Sequence, residues 1–416
     1  MLNSKDIAIA TLLLAAGLPA AAQAPKISGL AQLWYSQMMD NNIRLNGNVV
    51  GPYQLRSGFA ENGFHFRRVE IKLAGSLSEK VEYEIMIDPT INSASSSTYS
   101  ANDSIVLQDA VIKYKLPANI EFKAGQFKNL QTLEGATSSS EILFAERSQM
   151  ARRFGDVRDR GIVGSIGFGD PKSFTGRFHL GLFNGRTKFD NDNNAQKDVV
   201  ARLEMNYGRV HAFGAYTLQG STNLTDTGSL KAGTFANQPS SLTDKDILDN
   251  KDLTNQYGAY YRFQTDSIYV SAEAITGLVG RLFPSLNTSG ASVNANRLHL
   301  DQSFMGYVAT FGYTFDKHTF LGRYDYLNYN ANNDWYAPTS ASSSYNPYIR
   351  TNGDDFSPAY TEITLGYTYA FNPKSVKTAN IKVNYIMRSK NFLNARTGQT
   401  GPQGGDSIVL CFQAAF

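Results

Sequence analysis

The sequence predicts an all-β fold: a 16-stranded antiparallel transmembrane β-barrel with one long connection folded inward as a constriction loop. Three observations lead there. Apolar and polar residues alternate with period two in sixteen separate segments. Short and long connections alternate between those segments. The final stretch, DSIVLCFQAAF (Asp406–Phe416), also alternates and carries an aromatic at its end.

Composition sets the bounds. At 42% apolar and 18% charged residues the chain is not disordered, and 39 Lys+Arg against 36 Asp+Glu give no argument for a nucleic-acid partner. The 48 Tyr and Phe (23 and 25) and 35 Gly favour strands and turns. Cys411 is the single cysteine, which excludes a disulfide framework and a thiolate metal site. Beyond the N-terminus there is no apolar run of about 18 residues, the length of a transmembrane helix. Membrane strands alternate and average out polar, so a barrel stays open.

At the N-terminus, IAIATLLLAAGLPAAA (Ile7–Ala22) follows Lys5, and Ala20 and Ala22 fit a small-x-small cleavage site. This predicts a signal peptide at 1–22, export, and a barrel over 23–416. The sixteen strands are expected near 27–38, 63–75, 79–88, 104–115, 119–127, 161–169, 175–184, 196–208, 210–219, 256–264, 267–275, 303–315, 318–329, 359–371, 379–389 and 406–416. Short links such as SLS (76–78), LPA (116–118), TD (265–266) and DK (316–317) alternate with long ones such as 39–62, 89–103, 128–160, 220–255, 276–302 and 330–358. Tight periplasmic turns and long external loops produce that rhythm. An even strand number brings the last strand, ending in Phe416, beside the first and removes the sheet edges.

Parity divides the faces. Val69, Ile71 and Leu73 oppose Arg68, Glu70 and Lys72; Val199, Leu203 and Met205 oppose Arg202 and Glu204; Ile363, Leu365 and Tyr367 oppose Glu362 and Thr364. A lipid-facing Arg or Lys at mid-membrane costs about 2–4 kcal/mol, so the charged set faces water inside. Lys113, Arg323, Lys382 and Arg388 join that set, as do Asp109, Glu273 and Asp325. Aromatics near strand ends (Tyr35, Tyr114, Phe127, Tyr216, Tyr257, Tyr313, Tyr329, Tyr360) are expected in interfacial girdles. Because wall charges nearly balance, selectivity is expected at a constriction. The segment 128–160 is the candidate: Ile142, Leu143, Phe144 and Met150 suit packing on a wall, while Lys128, Arg147, Arg152 and Arg153 suit two-point contact with phosphate or carboxylate oxygens. The opposing reading is that arginines such as Arg147, Arg158 and Arg160 pair with the neighbouring Glu146 and Asp159.

The runs FHFRRVEIKLAGSL (64–77), LQDAVIKYKL (107–116), AGQFKNLQTLEGATSSSEILFAERS (124–148) and RDRGIVG (158–164) resemble the phosphate-selective porin O and P family of Gram-negative outer membranes. The resemblance implies a barrel set in outer-membrane lipid, a homotrimer, and passive passage of small anions such as phosphate without cofactor or energy source. It carries pore roles onto Arg67, Arg68, Asp109 and Lys128; by parity Arg67 lines the pore only if a bulge turns it inward. The chain departs from the family pattern at Asn129–Leu130–Gln131, where a proline-containing stretch is usual.

Other readings stay open at this stage: a general porin, or one selective for sugars, carboxylates or peptides; a barrel enzyme using one of five histidines; or a secreted binding protein. GDPKSFTG (169–176) lacks the spacing of a phosphate loop, and DNDNN (190–194) lacks the glutamate of a calcium loop, so a turn and an exposed loop are expected there.

Overall fold

The computed structural model describes residues 24–39, 62–90, 106–170, 172–185, 188, 192, 196–208, 210–222, 252–282, 299–328, 331, 359–389 and 406–416. The expected signal peptide at 1–22, Tyr329 and most of the long connections lie outside them. The strands are β1 (Lys26–Met38), β2 (Asn62–Ser76), β3 (Val81–Ile87), β4 (Leu107–Leu116), β5 (Ile120–Lys128), β6 (Arg158–Asp170), β7 (Phe174–Phe183) and β8 (Asp198–Tyr207). They continue with β9 (His211–Thr222), β10 (Asp252–Gln264), β11 (Ile268–Leu282), β12 (His299–Phe315), β13 (His318–Asn328), β14 (Ala359–Ala370), β15 (Ala379–Arg388) and β16 (Ser407–Ala415). Each pairs antiparallel with its sequence neighbour, and β16 pairs with β1 to close the barrel. At that seam Gly29 and Phe416 exchange backbone hydrogen bonds of 2.9 and 3.0 Å.

All sixteen expected strands are present. The largest boundary difference is in β11, which runs on to Leu282, followed by β10 and β12, which begin four residues early at Asp252 and His299. Residues 277–282 (GLVGRL) do not alternate, and the ladder to β12, ending at Leu282–His299, carries them as strand.

The two faces are inverted relative to a soluble protein. Phe66, Ile112, Ile162, Leu182, Phe311 and Leu365 are exposed, whereas Gln32, Arg202, Asp325, Glu362 and Lys382 are buried. Apolar side chains turned out and polar ones turned in are what a lipid surround and a wet interior require. Phe127, Tyr216 and Tyr360 correct the girdle expectation: all three are buried, since their parity matches Lys123, Ala212 and Glu362 on the inner face. Tyr114, Tyr257 and Tyr313 do face outward, and Phe168, Phe174, Tyr207, Phe315 and Phe371 crowd the short-turn end beside them.

Between β5 and β6, residues 129–157 contact buried side chains of strands distant in the sequence. A four-residue helix α1 (Leu133–Ala136) starts at Thr132, whose side chain accepts from Gly135 N at 3.0 Å. A π-helical turn follows at Ala151–Gly155. The two meet so closely that a Cβ on Gly155 would stand 1.9 Å from Thr132 Oγ1. Leu133, Met150 and Phe154 enter one apolar cluster with Tyr216, Tyr260, Ile275, Phe304, Val308, Leu327 and Tyr360, and the Phe154 and Phe304 rings stack with centroids 4.2 Å apart. Ala145 joins a second cluster with Trp34, Ile386, Val409 and Cys411 on β1, β15 and β16. Gln32 Nε2 donates to Ser139 O (3.4 Å) and Gln413 Nε2 to Ser140 O (3.0 Å), so the segment touches both strands of the seam.

Candidate functional site

Wall side chains satisfy the backbone of the 129–157 segment, which has little secondary structure of its own. Arg202 donates to Leu130 O (3.0 Å) and Thr132 O (3.1 Å), and Leu133 N donates to Glu273 Oε1 (2.7 Å). Ala145 N donates to Asn384 Oδ1 (2.7 Å), Lys382 Nζ to Ile142 O (2.6 Å), and Gln149 N to Asp325. Each wall residue named here points inward from its strand.

Three carboxylates organise the charges. On Glu146, Arg67 Nη2 lies 2.6 Å from Oε2 and Arg68 Nη2 lies 2.7 Å from Oε1. Arg67 gets there through a β-bulge: Gln32 pairs with Arg68 and Leu33 with Phe66, which leaves Arg67 out of the ladder. Asp156 holds Lys128 Nζ (2.9 Å) and Arg147 Nη1 (3.1 Å), with Arg158 Nη1 at 4.0 Å. Glu362 holds Arg323 Nη2 (3.2 Å), Arg152 Nη2 (3.5 Å) and Arg388 Nε (3.5 Å). Arg323 also donates to Glu146 O (2.9 Å) and covers the Phe144 ring, which joins two of the groups. Burial alone would raise the Glu146 carboxyl, but Arg67 and Arg68 outweigh it and hold it well below the ordinary carboxylate range. Asp156 is likewise depressed: Arg147 and Lys128 override its burial.

The remaining sequence candidates fall around this network. Asp109 accepts from Arg158 Nε at 2.9 Å. Lys72 pairs with Glu84 at 2.9 Å, and Lys113 lies 3.9 Å from the same carboxylate. Arg153 lies over the Phe154 ring at 5.7 Å. Ion pairing thus prevails for most of the candidate cations, though not with the expected neighbours. Arg147 pairs with Asp156 instead of the Glu146 side chain, and Arg158 pairs with Asp109 and Asp156 instead of Asp159. Asp159 instead accepts from Gly185 N and Arg160 N at 2.8 and 2.7 Å. The sequence placed Arg202, Arg323, Glu362 and Lys382 on the inner face but gave no sign that they anchor a segment up to 240 positions away.

One inward trio touches the enzyme reading. His179 Nδ1 lies 2.7 Å from Ser165 Oγ, and its Nε2 lies 3.8 Å from Glu204. Ser165 and His179 face each other across the β6–β7 ladder, whose N–H groups are engaged between strands and offer no pair of oxyanion donors.

The barrel resembles several solved outer-membrane channels. The outer membrane channel DcaP of Acinetobacter baumannii aligns at 12% identity over 95% of this chain and 98% of that one, with a TM-score of 0.55. An anion-selective porin from Comamonas acidovorans aligns at 10% identity over 95% and 100%, with a TM-score of 0.53. In vitro folded OmpT of Vibrio cholerae aligns at 11% over 96% and 98%, with a TM-score of 0.52. No curated protein matches the chain by sequence. A closed sixteen-stranded barrel, apolar outside and charged within, defines the outer-membrane porin class of channel. The family model for phosphate-selective porin O and P matches residues 44–391, and the chain belongs to that family. It is a porin, a passive diffusion channel, and its family and fold point to the Gram-negative outer membrane.

Proposed function

We propose that this porin prefers small anions, phosphate among them, and that the 129–157 segment forms the narrowest part of the passage. The charge count around that segment carries the reading. Glu146, Asp156 and Glu362 each hold two or more cations, eight in all: Arg67, Arg68, Lys128, Arg147, Arg158, Arg152, Arg323 and Arg388. Counting Asp109, Glu134 and Asp325 as well still leaves cations in excess. Positive charge in a low-dielectric passage raises the local concentration of anions and excludes cations.

The candidate residues divide by exposure. Arg67 and Lys72 keep 39% and 37% of their side chains accessible and meet a passing ion directly. Lys128 and Arg152 border the passage. Arg68 and Arg147, at 6% and 0%, act through the structure they hold. Lys113, Asp109 and Arg153 complete the lining. A leader at 1–22 directs export, and the barrel sits in outer-membrane lipid as a homotrimer, in line with its family.

The pairing of Lys72 and Lys113 with Glu84, and of Lys115 with Glu82, favours a second reading. On that stretch the wall is neutralised, as in a general diffusion pore. The reversal potential of the purified protein in a planar bilayer under a potassium chloride gradient separates the two. A potential of the sign set by chloride supports anion preference; one near zero or of the opposite sign assigns general or cation diffusion.

A further inference from the structure

If the porin is anion-preferring, its carboxylate-held cations set a field but are already spoken for. An anion that lingers needs cations without a carboxylate partner. A cavity of about 490 Å³ lies between residues 133–143 and the short-turn ends of β10, β13, β14 and β15, bordered by turn residues 374–377. Small-molecule sites commonly measure about 300–1,000 Å³. Arg262 and Lys374 line it, and among the described residues neither has an ion pair. Arg262 Nε and Thr368 Oγ1 are buried there without a hydrogen-bond partner. Lys382 adds a third cation, which donates to the carbonyls of Ile142 and Phe144 but to no carboxylate. The two acids of the lining are compensated: Glu141 by Lys377 at 2.7 Å, and Glu134 by Arg323 at 3.4 Å and by Ser148 N at 2.6 Å. The lining also includes apolar side chains: Leu133, Ile142, Leu321 and Val376.

We infer that this cavity, on the short-turn side of the segment, is a binding station for organic anions that join a phosphate or carboxylate head to a compact apolar body. The head meets Arg262, Lys374 and Thr368; the body lies on Leu321 and Val376. A bare inorganic ion leaves the apolar half wet and gains only the charged contacts. The inference rests on the anion-preferring reading and specifies which anions are retained.

The test is block of single-channel potassium chloride current by phenyl phosphate and by inorganic phosphate, which share a head and differ in the body. Phenyl phosphate is expected to half-block at a concentration about tenfold lower than inorganic phosphate, as burial of the ring on apolar side chains requires. Arg262→Gln with Lys374→Gln raises the phenyl phosphate concentration about tenfold or more, through loss of charge-assisted hydrogen bonds. Val376→Ser lowers its advantage over inorganic phosphate and leaves the inorganic block unchanged. Lys374 and Val376 lie in a turn, so Lys374→Gln alone and Val376→Ser keep the test alive if Arg262→Gln fails to assemble. Equal block by the two anions in the unmodified protein, or block indifferent to Lys374→Gln and Val376→Ser, overturns the inference. The reversal potential is read on the same channels. An anion-selective channel without discrimination sinks the binding station alone; a cation-selective channel sinks the anion-preferring reading beneath it.

Discussion

Arg67 and Arg68 are adjacent in the chain, yet both side chains reach the Glu146 carboxylate, one guanidinium at each oxygen. A regular strand would send them to opposite faces. The bulge at Arg67 is what lets both point inward, and Glu146, from a segment nearly 80 residues on, is what they share.

The two arginines differ in worth. Arg68 is buried and also donates to Gln32 Oε1 at 2.8 Å, whereas Arg67 remains partly in solvent. Removing one partner of a buried pair costs about 3–5 kcal/mol, and an exposed pair contributes about 0–1 kcal/mol. Arg68→Ala should therefore lower the urea midpoint of the refolded barrel well below that of Arg67→Ala. The reverse order would mean that Arg68 is not what holds Glu146.

Phe154 anchors the segment through its stack on Phe304. Phe154→Ala removes a buried ring at a cost of about 3–5 kcal/mol, with no effect on strand pairing. Single-channel recordings should show a larger, noisier conductance from a barrel that still migrates as folded on an unheated gel. An unchanged conductance would show that the segment does not set the width of the passage.

Gly125 has φ +131°, and a Cβ there would sit 2.0 Å from Ala110 O. Gly125→Ala combines that clash with a backbone conformation costing about 1–3 kcal/mol for a residue with a side chain. The yield of heat-modifiable barrel should collapse, while Gly322→Ala, where no atom lies within 4 Å, should refold normally.

Acid tests the ion pairs. Glu146 and Asp156 have native pKa values below their unfolded ones. Their contribution is complete above the ordinary carboxylate range of about pH 4 and is lost as pH falls through the depressed native values. Conductance should hold steady from about pH 7 to about pH 5 and change only below about pH 4. A step near pH 6 would point to a different titrating group.

The sixteen strands were legible because a two-faced wall between lipid and water must alternate, and period two survives in one sequence without help. Charges such as Arg202, Lys382 and Glu362 were placed on the inner face by the same rule. The girdle reading failed at Phe127, Tyr216 and Tyr360 because it weighed residue type over parity. The partners of Arg147 and Arg158 were illegible for another reason. A sequence shows its neighbours, while Asp156 reaches Arg147 and Asp109 reaches Arg158 only after the chain has doubled back. Parity makes a bulge the condition for a pore role of Arg67, and strand periodicity gives no means of locating an extra residue before the register is known.

The contacts of Ser139 and Ser140 with Gln32 and Gln413 bear on how the molecule is assembled. A segment from the first half of the chain grips its first and last strands across the seam where they meet. Closing the ring and seating the segment are then one event: until β16 arrives half of those contacts have no partner, and once it has arrived they resist its departure. A shortened segment would not simply widen the hole. It would loosen the join that makes the strands a cylinder, so a change at Ser139 and Ser140 acts on aperture and closure together.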